Sequence, residues 1–97
     1  MGSTRSGRSI DTALCQKGFS KSVDSDHVVY RLFSGNGELL VRTKISHGMM
    51  GTSLSADLIS KMARQLHLTK EQFLELIDCT MTKEIYREIL HEKGIAV

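Results

Sequence analysis

The chain has 97 residues, 40% of them hydrophobic and 25% charged, with a formal net charge of +2. That is enough for one hydrophobic core and too little for two, and the charge is too small to mark a nucleic-acid binder by itself. No apolar run approaches the roughly 20 residues of a membrane-spanning helix, and the first residues lack the apolar stretch of a secretory signal, so a cytoplasmic protein with no membrane partner is expected. Cys15 and Cys79 lie outside any CxxC pattern. This argues against a disulfide scaffold and a thiolate metal site, and both are expected as reduced, partly buried thiols.

Met1 to Arg8 offers almost nothing to bury and is expected to be a mobile arm. Ser9 is placed to cap a short helix with Ile10, Ala13 and Leu14 on one face and Gly18 as its left-handed stop, after which Phe19 anchors the chain. Ser20 to Val23 reads as a short edge strand and Asp24-Ser25-Asp26 as a turn. From His27 to Phe33 the β-branched, aromatic and aliphatic residues predict a strand. Asn36-Gly37 carries the hairpin signal of two residues that tolerate positive φ.

The next run, Glu38 to Ile45, alternates: Leu39, Val41, Thr43 and Ile45 share one face, Leu40, Arg42 and Lys44 the other. After a loop containing Met49 and Met50, Thr52 or Ser53 is placed to cap a helix whose stripe is Leu54, Leu58, Ile59, Met62, Ala63 and Leu66. Thr69-Lys70-Glu71-Gln72 is a capping box opening a short helix with Phe73, Leu74, Leu76 and Ile77. Thr82 caps a last helix through Glu92, with Ile85, Tyr86, Ile89 and Leu90 inward and Gly94 as its stop. The pattern predicts an α+β protein, α-β-β-β-α, with a small antiparallel three-stranded sheet packed on helices and additional C-terminal helices. Phe19, Val29, Leu58, Met62 and Phe73 are expected in its core.

Histidine has the ordinary pKa closest to neutrality, so His27 and His47, at either end of the two main strands, are candidate acid–base residues. The plain alternative is a pair of solvent-exposed histidines. Lys and Arg outnumber the acids through Met50, and Lys21, Arg31, Arg42 and Lys44 are the candidate phosphate contacts, against the reading of ordinary solubilising charge. His67 and His91 sit near helix C-termini, where a cation suits the dipole. The four histidines lack the short paired spacing of a zinc site, and neither a metal nor any other cofactor is expected.

The order of these features resembles the HicA-like toxin family. Gly18-Phe19 closes the first helix, His27 precedes Val28-Val29-Tyr30-Arg31, a second histidine stands at His47-Gly48, and a helix leads into Leu68-Thr69-Lys70-Glu71-Gln72-Phe73. The likeness runs from Ile10 to Ile77 and leaves the final helix unexplained. Where the family has Gly-Ser-His, this chain has Ser25-Asp26-His27. The resemblance implies a double-stranded-RNA-binding-like fold and a toxin that cleaves mRNA as a metal-independent endoribonuclease, neutralised by a partner antitoxin. In that chemistry a neutral His27 takes the 2′-hydroxyl proton, and His47 supports the site or serves as a second acid–base group. The chain then divides into an arm, 1–8, a HicA-like domain, 9–78, and a C-terminal helical extension, 79–97. Two other readings stand beside it: a nucleic-acid-binding or adaptor module of the same fold without cleavage, and an interaction domain forming a homodimer through Ile85, Ile89 and Leu90.

Overall fold

The computed structural model describes residues 5–49, 51–78 and 80–95. Helix α1 (Gly7–Gln16) leads into strands β1 (Ser20–Val23), β2 (His27–Phe33) and β3 (Leu39–Ser46). A 3-10 turn (His47–Met49) and helices α2 (Ala56–Gln65), α3 (Lys70–Ile77) and α4 (Lys83–Glu92) follow. The strands form an antiparallel meander in the order β1-β2-β3, so the expected α+β architecture with additional C-terminal helices is the observed one.

Strand alternation divides the sheet into two unlike faces. Val28, Tyr30 and Leu32 on β2 lie opposite Ile45, Thr43 and Val41 on β3, and all six are buried under the helices. The intervening residues, His27, Val29 and Arg31 on β2 and Ser46, Lys44 and Arg42 on β3, are opposite one another on the more open face, half-buried on β2 and exposed on β3. Val29, expected in the core, is therefore only half-buried. At the far end the register shifts between Leu32 and Phe33, leaving Leu40 without an opposite residue. Asn36-Gly37 does not form the turn with two positive φ values: only Gly37 is left-handed, at φ +87°, and its N–H donates to the Ser34 carbonyl at 3.0 Å.

Helices α1 and α2 are capped by other residues than the sequence suggests, while α3 and α4 keep the expected Thr69 and Thr82. Ser6, not Ser9, caps α1 by accepting the Ser9 N–H, and Ser55, not Thr52 or Ser53, caps α2 by accepting the Leu58 N–H. Ser55 prevails because Leu54 before it and Ile59 inside the helix are both buried, the arrangement of a hydrophobic staple that fixes the entry of the chain. The same device recurs with Leu68 and Phe73 around the Thr69 cap and with Met81 and Tyr86 around the Thr82 cap. The expected capping box is present, Gln72 returning its side chain to the Thr69 N–H at 3.0 Å.

Part of the expected arm is ordered. Arg5 clamps Asp78 with two nitrogens, at 2.8 and 2.6 Å, Ser6 bridges Ser53, and Gly7 and Arg8 belong to α1. Residues 1–4 lie outside the described residues, as do Met50 and Cys79. Helix α4 is likewise integral: Tyr86 and Leu90 are buried in the common core, Phe19 stacks on Tyr86 at 6.0 Å, and the Tyr86 hydroxyl donates to the Leu66 carbonyl at 3.1 Å. Of the three residues expected at a dimer contact, Leu90 is buried and Ile89 packs partly on the core, leaving Ile85 exposed. No helix among the described residues is long and apolar enough to cross a membrane.

Candidate nucleic-acid interface

The open sheet face presents His27, Arg31, Arg42 and Lys44 within one hairpin. Arg31 stands opposite Arg42, Lys44 opposite Val29, and His27 opposite Ser46. None of the three cations makes an ion pair among the described residues. Their positive field therefore faces solvent uncompensated by the strands, as an anion-binding surface requires.

Two adjoining depressions open on this face and share His27, Lys44 and Gln65. One, of about 230 Å³, crosses the strands between Asp24, Val29, Arg31, Arg42 and Thr43. The other, of about 180 Å³, is a cleft between the end of β3 and α2, with Ile45, Met49, Leu54, Leu58 and Met62 as apolar lining and Lys61 at its side. The Thr43 hydroxyl donates to Gln65 Oε1 at 2.6 Å, tying β3 to the last turn of α2 between the two.

The β1–β2 turn aims His27. Asp24 Oδ1 accepts the backbone N–H groups of His27 at 2.7 Å and Asp26 at 3.0 Å, and the Asp24 N–H returns to the His27 carbonyl at 2.9 Å. The two backbone donors hold the Asp24 carboxyl below its usual range. Asp24, rather than the adjacent Asp26, is thus the carboxylate that acts on His27.

His47 comes to the same end of the sheet, its N–H bonded to the Asp26 carbonyl at 3.0 Å. Its side chain is exposed and lines neither depression, whereas His27 lines both. Lys21 does not join the cations. It lies opposite Tyr30, on the helix side of the sheet, and its ammonium pairs with Asp11 at 2.9 Å. Asp11 also accepts the Tyr30 hydroxyl at 2.5 Å. Desolvation alone would raise the Asp11 carboxyl, but the hydrogen bonds from Tyr30 and Lys21 outweigh it and hold it low.

Cys15, beside this pair, is exposed rather than partly buried. Desolvation of its sulfur, then the Asp11 charge, raises the thiol, so it is not an activated nucleophile. No group of three His, Cys, Asp or Glu side chains among the described residues is placed to hold a metal ion.

Lys61 and Gln65 are the site residues the sequence reading missed. Leu58, Lys61, Met62 and Gln65 recur at three- and four-residue spacing and form one stripe on α2 beside the buried stripe. That spacing, with two polar members adjoining an apolar face, was the available signal. Compared with known protein families, with curated proteins and with solved structures, the chain matches none.

Proposed function

We propose that this protein binds RNA on the open face of its sheet and cleaves it without a metal, His27 acting as general base, in the manner of the HicA-like toxins its sequence resembles. The observation that carries the reading is the presence of Arg31, Arg42 and Lys44 in register beside His27 on the more open face, with no ion pair to neutralise them. Cations in such a row contact successive phosphates of a strand and release its counterions. An imidazole among them meets the ribose next to a held phosphate.

The neutral His27 ring takes the 2′-hydroxyl proton and the freed oxygen attacks the adjacent phosphorus. The bond to the 5′-oxygen breaks, and the imidazolium or a second acid returns a proton to it, leaving a cyclic phosphate and a 5′-hydroxyl. Arg31, Arg42 and Lys44 offset the charge that builds on the phosphoryl oxygens. An antitoxin, the partner the resemblance implies, would inhibit by covering this face.

The test is incubation of the purified protein with labelled single-stranded RNA in excess chelator, beside His27→Ala. Cleavage by the wild type alone, with RNA affinity kept in the variant, supports the assignment. Salt-sensitive binding without cleavage leaves a binding module of the same fold, and absence of binding at low salt removes both.

A further inference from the structure

We infer that the cleft between β3 and α2 is a pocket for one unpaired nucleobase of the bound strand, with Gln65 reading its edge; this rests on the RNA-binding reading above. The cleft opens directly onto the cationic face, because His27, Lys44 and Gln65 line both depressions. A strand whose phosphates follow Arg31, Arg42 and Lys44 therefore carries a base past its mouth.

The dimensions and lining select the occupant. About 180 Å³ is well below the ~300–1,000 Å³ of sites that enclose whole drug-sized ligands, which leaves room for a single ring system rather than a nucleoside with its phosphate. Leu54, Leu58 and Met62 supply an apolar lining for the flat faces of a base, the methionine adapting to their shape. Lys44 and Lys61 flank it, so the occupant is an apolar ring attached to an anionic chain. In a duplex the bases are stacked and paired, and only a single strand, loop or bulge can turn one out into such a cleft.

Gln65 gives the pocket a polarity. Its Oε1 is already taken by the buried Thr43 hydroxyl, and its amide nitrogen has no hydrogen-bond partner among the described residues. The fixed amide thus offers a donor, which suits a base presenting a carbonyl oxygen or an unprotonated ring nitrogen on its exposed edge.

The experiment compares binding of a short unstructured 2′-O-methyl RNA strand, which cannot be cleaved, with that of an abasic strand of equal length and charge. Wild-type protein is expected to prefer the base-bearing strand by about tenfold, the worth of one well-held base. Two variants address the pocket: Gln65→Glu keeps an acceptor for Thr43 but removes the donor, and Leu58→Trp fills the cleft. In each, confirmed folded by circular dichroism, the ratio of the two affinities is expected to fall toward one; using the ratio cancels the added charge of the glutamate. Equal binding of both strands by the wild type, or a ratio undiminished in both variants, overturns the pocket while leaving RNA binding standing. Failure of the wild type to bind either strand at low salt overturns the RNA reading itself, and the pocket with it.

Discussion

Arg31 faces Arg42 directly across the β2–β3 pair on the open side of the sheet, two like charges in the position where cross-strand neighbours interact most strongly. Neither has an ion-pair partner among the described residues to relieve the repulsion. Such a placement costs the fold, and a bound anion of the kind proposed above would offset it. Arg42→Thr is expected to raise stability by about 0.5 kcal/mol, since it removes the repulsion and supplies a β-branched strand residue. The same change is expected to weaken RNA binding and to reduce the slope of log affinity against log salt by about 0.7, one phosphate contact on a single strand. Denaturant titration reads the first and binding across a salt series the second. An unchanged salt slope would remove Arg42 from the interface.

His67 is the one described residue other than glycine with a positive φ, +62°. It ends α2 in a Schellman arrangement, its own N–H donating to the Arg64 carbonyl at 3.1 Å and the Leu68 N–H to the Ala63 carbonyl at 2.8 Å. Helices α1 and α4 close the same way with Gly18 and Gly94, at φ +93° and +82°. A β-carbon in the left-handed region is unfavourable, so His67→Gly is expected to stabilise the protein by about 1 kcal/mol, read as a higher denaturation midpoint at unchanged slope. A loss of stability would mean that the imidazole makes a contact worth more than the strain.

The order of elements was legible because each is written locally. Capping residues, the Gly18 and Gly94 stops and the period of each apolar run lie within a few positions of one another. What failed was decided by packing between distant segments. Ser6 and Ser55 prevail as caps because Arg5 reaches Asp78 and Leu54 is drawn into the core, neither visible in a local window. Lys21 falls outside the cationic face because its register against β2, fixed by the turn at Asp24, sets it opposite Tyr30 and beside Asp11. At the candidate site, Arg42 and Lys44 were readable from alternation and His27 from its place at a strand end, whereas Lys61 and Gln65 enter only because α2 packs along β3.

Stability is expected to form a plateau with two edges. The carboxyls of Asp11, Asp24 and Asp78 are all held below their ordinary values: Asp11 by Tyr30 and Lys21 against its desolvation, Asp24 by backbone donors, and Asp78 by Arg5. A depressed acid contributes stability that is complete above the unfolded value, about pH 4, and is lost as pH falls through the folded one. Burial raises the phenols of Tyr30 and Tyr86, the former helped by the Asp11 hydrogen bond. A raised phenol contributes stability present below its unfolded value, about pH 10, and lost above it, at up to about 1.4 kcal/mol per pH unit for each tyrosine. Denaturation midpoints from pH 2 to 11 test both edges. Asp11→Asn should flatten the acid side and Tyr86→Phe the alkaline side; an alkaline edge unaltered by Tyr86→Phe would contradict its burial.

The last prediction concerns the C-terminal helix, which the resemblance leaves unexplained and whose Tyr86 and Leu90 lie in the common core. Leu90 is fully buried and belongs to the same cluster as Ile10, Leu14 and Phe73. Truncating it leaves a cavity where chains from several elements meet, so Leu90→Ala is expected to cost about 2–5 kcal/mol. Leu58 is the contrasting case. It lies half-buried on the cleft side of α2, next to solvent that can follow the retreating side chain, and Leu58→Ala should cost only about 1 kcal/mol. Both values come from denaturant unfolding followed by circular dichroism, provided the two variants share the wild-type slope. A Leu90→Ala protein as stable as the wild type would detach α4 from the core. If Leu58→Ala instead proved as costly as Leu90→Ala, the cleft would be closed in solution and Leu58 would belong to the core.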